Sequence, residues 1–150
     1  MLRDRFTEAL KEAMKSREDL TVSTVRLILA RLKERDIEAR PKLDRIEDAA
    51  IQQMLQQMIK QRRESIDLYE KGNRPELAAK EKGEIAVIER FLPKQMSGAE
   101  LEAAIKGTIK EAGASSIKDM GKVMAALRTK YAGQIDPAAA SQTVKKLLTG

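Results

Sequence analysis

Residues 46–69, IEDAAIQQMLQQMIKQRRESIDLY, contain no Gly or Pro, and their apolar side chains recur every three or four positions. This spacing is the period of one face of an α-helix. The predicted face consists of Ile51, Leu55, Met58, Ile59, Ile66 and Tyr69. The pair Gly72-Asn73, which is typical of a helix end, follows directly. The stretch therefore predicts one long amphipathic helix that begins near residues 46–48.

Helical spacing also governs the residues around this stretch. One helix is predicted from about Leu2 to Arg17, and a second should end before Pro41, because a residue that precedes proline avoids the helical conformation. A further helix should begin at Pro75 with Asn73 as its cap, and Pro93 should end it. The first of these helices has an apolar stripe of Leu2, Phe6, Leu10, Ala13 and Met14. The second has Val22, Val25, Leu29 and Leu32 on one face. The third has Leu77, Glu81, Ile85, Ile88 and Leu92 on one side.

After Pro93, a short linker over residues 94–96 leads to three shorter predicted helices. Ser97 with Glu100, and Ser116 with Asp119, have the spacing of a capping box at a helix start. The last helix should begin at Asp136-Pro137. The predicted stripes are Leu101, Ile105, Thr108, Ile109 and Ala112; Ile117, Met120, Met124, Leu127 and Tyr131; and Ala140, Val144, Leu147 and Leu148.

The predicted fold class is therefore all-α. We expect a four-helix N-terminal domain at residues 1–94 and a small three-helix tail domain at residues 95–150. A tail of this size is marginal as an independent unit but can fold. The alternative is a stable dock of the last three helices onto the first four.

Composition excludes several classes of protein. The 150 residues include no Cys, so disulfides, thiolate zinc sites and thiol nucleophiles are ruled out. They include no His, the commonest general base and transition-metal ligand. No apolar run approaches the roughly 20 residues that span a bilayer, and the N-terminus lacks the apolar core of a signal peptide. We expect a soluble cytoplasmic protein with no cofactor, no metal and no membrane partner.

Positive charge is denser in the tail. The net charge is +6; residues 95–150 hold 8 basic and 5 acidic side chains, against 21 and 18 in residues 1–94. This balance permits binding to a polyanion. Aromatic residues make up only 3% of the chain, so base stacking should contribute little.

Several stretches resemble the GatB/YqeY family. Residues 84–95 read EIAVIERFLPKQ, residues 116–124 read SIKDMGKVM, and Gly133, Asp136 and the ending VKKLL at 144–148 follow. These are similar to the tail domain of the GatB subunit of glutamine-dependent aspartyl/glutamyl-tRNA amidotransferase. Upstream, TVR at 24–26 and GNRPEL at 72–77 resemble the standalone YqeY-like branch, so the likeness covers essentially the whole chain. Ala125 departs from the family, which usually has Gly there, and this puts any role of that Gly in doubt.

The resemblance implies a function as well as a fold. In the amidotransferase the tail domain helps to hold the tRNA, whereas catalysis belongs to a larger cradle domain for which this chain has no room. We therefore expect an accessory protein that binds tRNA or another structured RNA and is not an enzyme on its own. The alternatives are a helical protein-interaction adaptor, for example to the translation machinery, and an accessory component of an amidotransferase-like carbon–nitrogen ligase that uses glutamine as amide donor.

The leading candidate site is the start of the helix after Ser116. Lys118 and Lys122 are an i,i+4 pair, and the N-terminal end of a helix adds positive potential that suits phosphate. Gly121 costs about 1 kcal/mol inside a helix relative to Ala. It indicates a close approach, for which another helix is the favoured interpretation and a phosphodiester backbone the second.

Other cations complete the predicted RNA-binding set, and a solvated charged face is the alternative interpretation for all of them. The additional members are Lys106, Lys110, Lys145 and Lys146. A further basic cluster on the long helix comprises Lys60, Arg62 and Arg63, and we expect Glu64 and Asp67 to neutralise it in part as a surface ion-pair network.

Overall fold

A computed structural model describes residues 1–96 and 98–149, and these contain α-helices and one 3₁₀ turn but no strand. The all-α prediction is confirmed. The helices are α1 Leu2–Ser16, α2 Asp19–Ala39, α3 Asp48–Lys71, α4 Pro75–Glu89, α5 Gly98–Ala112, α6 Met120–Lys130 and α7 Pro137–Thr149, with the 3₁₀ turn Ile117–Asp119 directly before α6. The chain divides into two compact units, Met1–Leu92 and Pro93–Gly150.

The first unit has a core built by α1 to α4. Helix α3 packs along α4, α1 along α2, and α2 also contacts α4. The rings of Phe6 and Phe91 meet edge to face with their centroids 4.9 Å apart. Around them lie fully buried aliphatic side chains, among them Val25, Ile28 and Leu55. A single contiguous core therefore holds this unit together.

Several predicted core positions in this unit are wrong. Met14 and Leu77 are exposed, with 53% and 38% of their surface accessible. Met54, Ile28 and Val87, which the predicted faces omit, are buried. Ile28 is on α2, which contacts α1 and α4, and Val87 is on α4, which contacts α2 and α3, so the buried faces of these two helices are wider than one stripe.

The junction between α3 and α4 also differs from the prediction. Asn73 does not cap α4; it adopts the left-handed conformation with φ of +57° and closes α3, and Arg74 takes the position before α4. The backbone N–H of Arg74 donates a hydrogen bond to the carbonyl of Tyr69 at 2.7 Å. Asn tolerates this conformation better than most residues. Pro75 stands at the first position of α4, as predicted.

The second unit is a three-helix arrangement in which α5, α6 and α7 contact one another in every pair. Its core includes the fully buried Ile105, Val123 and Val144. Asp136 caps α7, because its Oδ1 accepts the backbone N–H of Ala138 at 3.2 Å. The predicted cap at Ser97 lies outside the described residues.

The predicted helix from Ser116 to Tyr131 is interrupted. Residues 117–119 form the 3₁₀ turn, and regular α-helix begins only at Met120. Ile117, predicted in the core, is therefore exposed. A 3₁₀ turn at a helix start is common, and it rotates the side chains before Met120 away from the α-helical register.

The segment that enters the second unit is tied to it. The Gln95 side-chain amide donates hydrogen bonds to the carbonyl of Pro93, at 3.0 Å, and to that of Gly133. The backbone N–H of Met96 donates to the carbonyl of Gln134 at 2.8 Å. Residues 93–96 are thus outside the helices yet held by the turn between α6 and α7.

Candidate nucleic-acid interface

The start of α6 is ordered by one carboxylate. Asp119 Oδ2 accepts the backbone N–H of Ser115 at 3.0 Å and that of Ser116 at 3.4 Å. These two hydrogen bonds, assisted by the nearby positive charge of Lys122, lower the pKa of the Asp119 carboxyl. The Ser116–Asp119 capping box is thereby confirmed. It fixes the backbone that carries Lys118.

Lys118 and Lys122 flank this start, and both are exposed. Lys118 lies in the 3₁₀ turn and Lys122 in the first turn of α6, so they are not a pair on one regular α-helix as predicted. They remain one helical turn apart at the positive end of α6. Both ammonium groups are therefore available to an anion that approaches from solvent.

Gly121 stands between them and is exposed. A Cβ built on it would meet no heavy atom of the described residues within 4 Å beyond its own helical backbone and chain neighbours. The favoured interpretation, contact with another helix, is therefore wrong, because no neighbouring helix comes near. Gly107 in α5 is equally open. A close approach at Gly121 could come only from outside the described chain.

An open depression of about 660 Å³ lies between α5 and α6. Its lining includes Thr108 and Glu111 from α5 and Lys122, Ala125, Ala126 and Lys130 from α6. Lys122 and Lys130 are eight residues apart in one helix, which separates their Cα atoms by roughly 12 Å. Ala125, the position that departs from the family pattern, faces this depression and not a packed helix.

The other cation of the depression is already paired. Lys130 Nζ lies 3.1 and 3.2 Å from the two carboxylate oxygens of Glu111. This hydrogen-bonded ion pair raises the pKa of the Lys130 ammonium, and the neighbouring Tyr131 adds a smaller effect. The pairing joins α5 to α6 across the depression. Sequence reasoning missed it because the two residues are 19 positions apart.

The remaining predicted cations of the tail lie on α5 and α7. Lys106 forms an ion pair with Glu102 at 3.2 Å on α5. Relative to Glu111, which lines the depression, residues 106 and 110 are rotated by roughly 140° and 100° around the helix, at 3.6 residues per turn. Lys145 and Lys146 are exposed on α7. The structure thus brings together Lys118, Gly121 and Lys122 and separates Lys106 and Lys110 from the depression.

Arg62 departs from the surface network predicted for the basic cluster on α3. Arg62 Nε lies 2.8 Å from Glu84 Oε2 and 3.9 Å from Glu81 Oε2, both on α4. Glu84 is buried, and only 14% of the Arg62 side chain is exposed. The expected partners of Arg62 on its own helix are wrong, because the packing of α4 on α3 supplies two carboxylates. Arg62 is therefore a structural cation.

Metal-binding and membrane-spanning features are absent from the residues that the structure describes. They contain no group of three or more acidic, His or Cys side chains that could hold a metal ion. None of their helices combines the length and apolar character that crossing a membrane requires.

The fold and this surface define an all-helical protein whose second unit exposes lysines around a helix start. A family model described as Yqey-like protein matches residues 3–148, and the chain belongs to that family.

Curated yeast proteins are similar to it. One from Lachancea thermotolerans, named Altered inheritance of mitochondria protein 41, mitochondrial, is 32% identical over 104 residues, which are 68% of this chain and 54% of that protein. The protein of the same name from Vanderwaltozyma polyspora is 34% identical over 83 residues, or 55% and 44% of the two chains. The chain spans about half the length of these relatives.

Proposed function

We propose that this protein binds structured RNA, with tRNA as the first candidate, through the surface around the start of α6. The observation that carries the proposal is Gly121: it is exposed, nothing in the described chain approaches it, and Lys118 and Lys122 flank it at the positive start of α6. Gly107 is equally open, but it lies in the middle of α5 and its neighbour Lys106 is paired with Glu102. Gly loses more backbone freedom on folding than any other residue, and nothing in the described chain requires Gly at the second position of α6. Close passage of a sugar–phosphate backbone supplies a reason for it.

Contacts of this kind recognise shape more than sequence. Lysines bind phosphates as point charges, and phosphate contacts set the position and register of a protein on a nucleic acid. Structured RNA is recognised mostly by its shape and by its phosphates and 2′-hydroxyls. The two-unit organisation, with residues 1–94 as an N-terminal domain and 95–150 as the RNA-binding tail, is part of the proposal, and Lys106, Lys110, Lys145 and Lys146 would add weaker long-range attraction.

The protein acts in this proposal as an accessory factor without a catalytic site of its own. Neither the family description nor the names of the yeast relatives mention an enzyme. A protein partner from the translation machinery would fit the same role. The cytoplasmic location expected from the sequence stays a proposal, and a mitochondrial location is the alternative, because those relatives are named as mitochondrial proteins.

The double change Lys118→Ala with Lys122→Ala should weaken the binding of folded tRNA. Each lost phosphate contact flattens the log–log dependence of affinity on salt by roughly 0.7–0.9, so we expect a change of up to about two units. The measurement is a titration of tRNA at several salt concentrations, with circular dichroism as a check on folding. The matched control is Lys106→Ala with Lys110→Ala, which removes the same charge from α5 and should flatten the slope less. Equal salt slopes for the two double variants would mean that Lys118 and Lys122 are only solvated surface charges. If the parent protein does not bind tRNA even at low salt, the adaptor alternative is favoured.

The variant Gly121→Ala tests whether RNA approaches this position closely, without changing the charge of the protein. Inside the protein the new methyl group meets open space, and Ala at this second position of α6 should stabilise the helix, by less than the roughly 0.5–1 kcal/mol of a mid-helix position. A backbone that passes close to this position would collide with it, so we expect a more stable protein that binds tRNA several-fold more weakly. Gly107→Ala, equally open but in the middle of α5, should gain about 0.5–1 kcal/mol with unchanged binding. Unchanged binding in both variants would remove Gly121 from the interface.

A further inference from the structure

The depression between α5 and α6 has two cationic side chains in its lining, and among the described residues only one of them is held in an ion pair. Lys122 stands near the positive start of α6. Lys130 is the last residue of α6 and is held by both carboxylate oxygens of Glu111. An anion in the depression therefore meets an available ammonium group at one end and a carboxylate at the other.

We propose that Glu111 is a specificity-determining residue that competes with RNA phosphate for Lys130. This inference rests on the proposed function and assigns a second element to the same site. While Glu111 holds Lys130, the depression accepts phosphate only at the Lys122 end. A phosphate reaches Lys130 only if it displaces the carboxylate.

The ion pair is suited to such competition. The Lys130 and Glu111 side chains are 46% and 66% exposed, and an exposed pair of this kind contributes about 0–1 kcal/mol to stability. Its displacement by a phosphate would therefore cost little folding energy. Once displaced from Lys130, the Glu111 carboxylate stays close to the bound phosphate and repels it. This repulsion disfavours ligands that present phosphates along the whole depression.

The consequence for binding is a narrow footprint. A polyanion with a regular row of phosphates, such as an extended duplex, gains nothing at Lys130. A folded RNA that places a phosphate at the start of α6 keeps its contacts with Lys118 and Lys122. Glu111 would thus lower non-specific affinity while leaving the contacts at Lys118 and Lys122 intact.

The test is a salt titration of an extended RNA duplex and of folded tRNA with the full chain and Glu111→Gln. Release of Lys130 should add one phosphate contact with the duplex, which steepens its log–log slope by about 0.7–0.9 and tightens its binding roughly three- to tenfold near 0.1 M salt, whereas folded tRNA should gain less. The matched control is Glu102→Gln, which frees Lys106 from an equivalent ion pair with the same change in net charge. Residue 102 is nine positions before Glu111, about half a turn away around α5, so its effect should be less than half as large. The double variant Glu111→Gln with Lys130→Ala should return to the slope of the parent.

The outcomes separate this inference from the proposed function. If the parent binds and Lys118 and Lys122 matter, but Glu111→Gln behaves like Glu102→Gln, the competitor role is overturned and the proposed function stands. A gain that survives Lys130→Ala also overturns it. A third outcome is that Glu111→Gln steepens the salt dependence only when Lys130 is present, while replacing Lys118 and Lys122 changes nothing. The inference then holds, and the interface is centred on the Lys130 end of α6. Absence of binding by every variant overturns both.

Discussion

Replacing Arg62 by Met is expected to lower the free energy of unfolding by about 3–5 kcal/mol, because it leaves Glu84 charged, buried and without its partner. The Arg62 guanidinium lies 2.8 Å from the Glu84 carboxylate and also donates to the carbonyl of Met58 at 3.3 Å. Only 10% of the Glu84 side chain is exposed, so solvent screens this interaction weakly. The measurement is urea unfolding followed by circular dichroism.

Two controls make this prediction specific. The double variant Arg62→Met with Glu84→Leu removes both charges and should recover most of the loss, since replacing a whole buried pair by apolar side chains is often neutral. Lys60→Ala, an exposed change on the same helix, should stay within about 0.5 kcal/mol of the parent. A loss below about 1 kcal/mol in Arg62→Met would mean that Glu84 finds water or another partner.

Phe6→Ala should destabilise the first unit by about 3–5 kcal/mol, because it empties the centre of the core. Phe6 is fully buried, and its ring packs edge to face on Phe91. A geometry of this type adds about 0.5–1.5 kcal/mol beyond the buried area. The Arg5 guanidinium, 5.6 Å from the centre of the Phe91 ring, covers that ring, so the loss of Phe6 also disturbs this contact.

Two further variants in α1 test whether the lost packing of the Phe6 ring causes the destabilisation. Phe6→Leu keeps most of the volume and should cost clearly less than Phe6→Ala. Met14→Ala, at a half-exposed position of the same helix, should change stability by about 0.5 kcal/mol or less. If Phe6→Ala were no worse than Met14→Ala, the core around the two aromatic rings would not be the main support of this unit.

Local periodicity predicts helices well but their buried faces less well. The start of α3 at Asp48 and its end at Lys71 agree with the predicted limits, because this helix is long and amphipathic. The faces of α2 and α4 were less predictable, since each packs against more than one neighbour. Arg62 illustrates the same limit: its true partners come from α4, 19 and 22 positions along the chain, where no i,i+4 rule can find them.

The candidate site was predictable in part. The lysines at 118 and 122 and the capping box follow from sequence, because both depend on residues a few positions apart. The open space at Gly121 and the depression beside α5 depend on how two helices pack, which sequence spacing does not report. The small residues Ala112, Ala125 and Ala126 were the available indication of that depression, since small side chains on facing helices leave an open surface.

The hydrogen bonds from Gln95 and Met96 to the turn at residues 133–134 affect how the second unit can be exchanged between genes. A recombination point just before Pro93 transfers the second unit with all of these bonds, whereas one after Met96 would lose the Gln95 amide that donates to the carbonyl of Gly133. Natural fusions that carry this module should therefore retain the few residues before its first helix. Those residues belong to the second unit even though they lie in no helix.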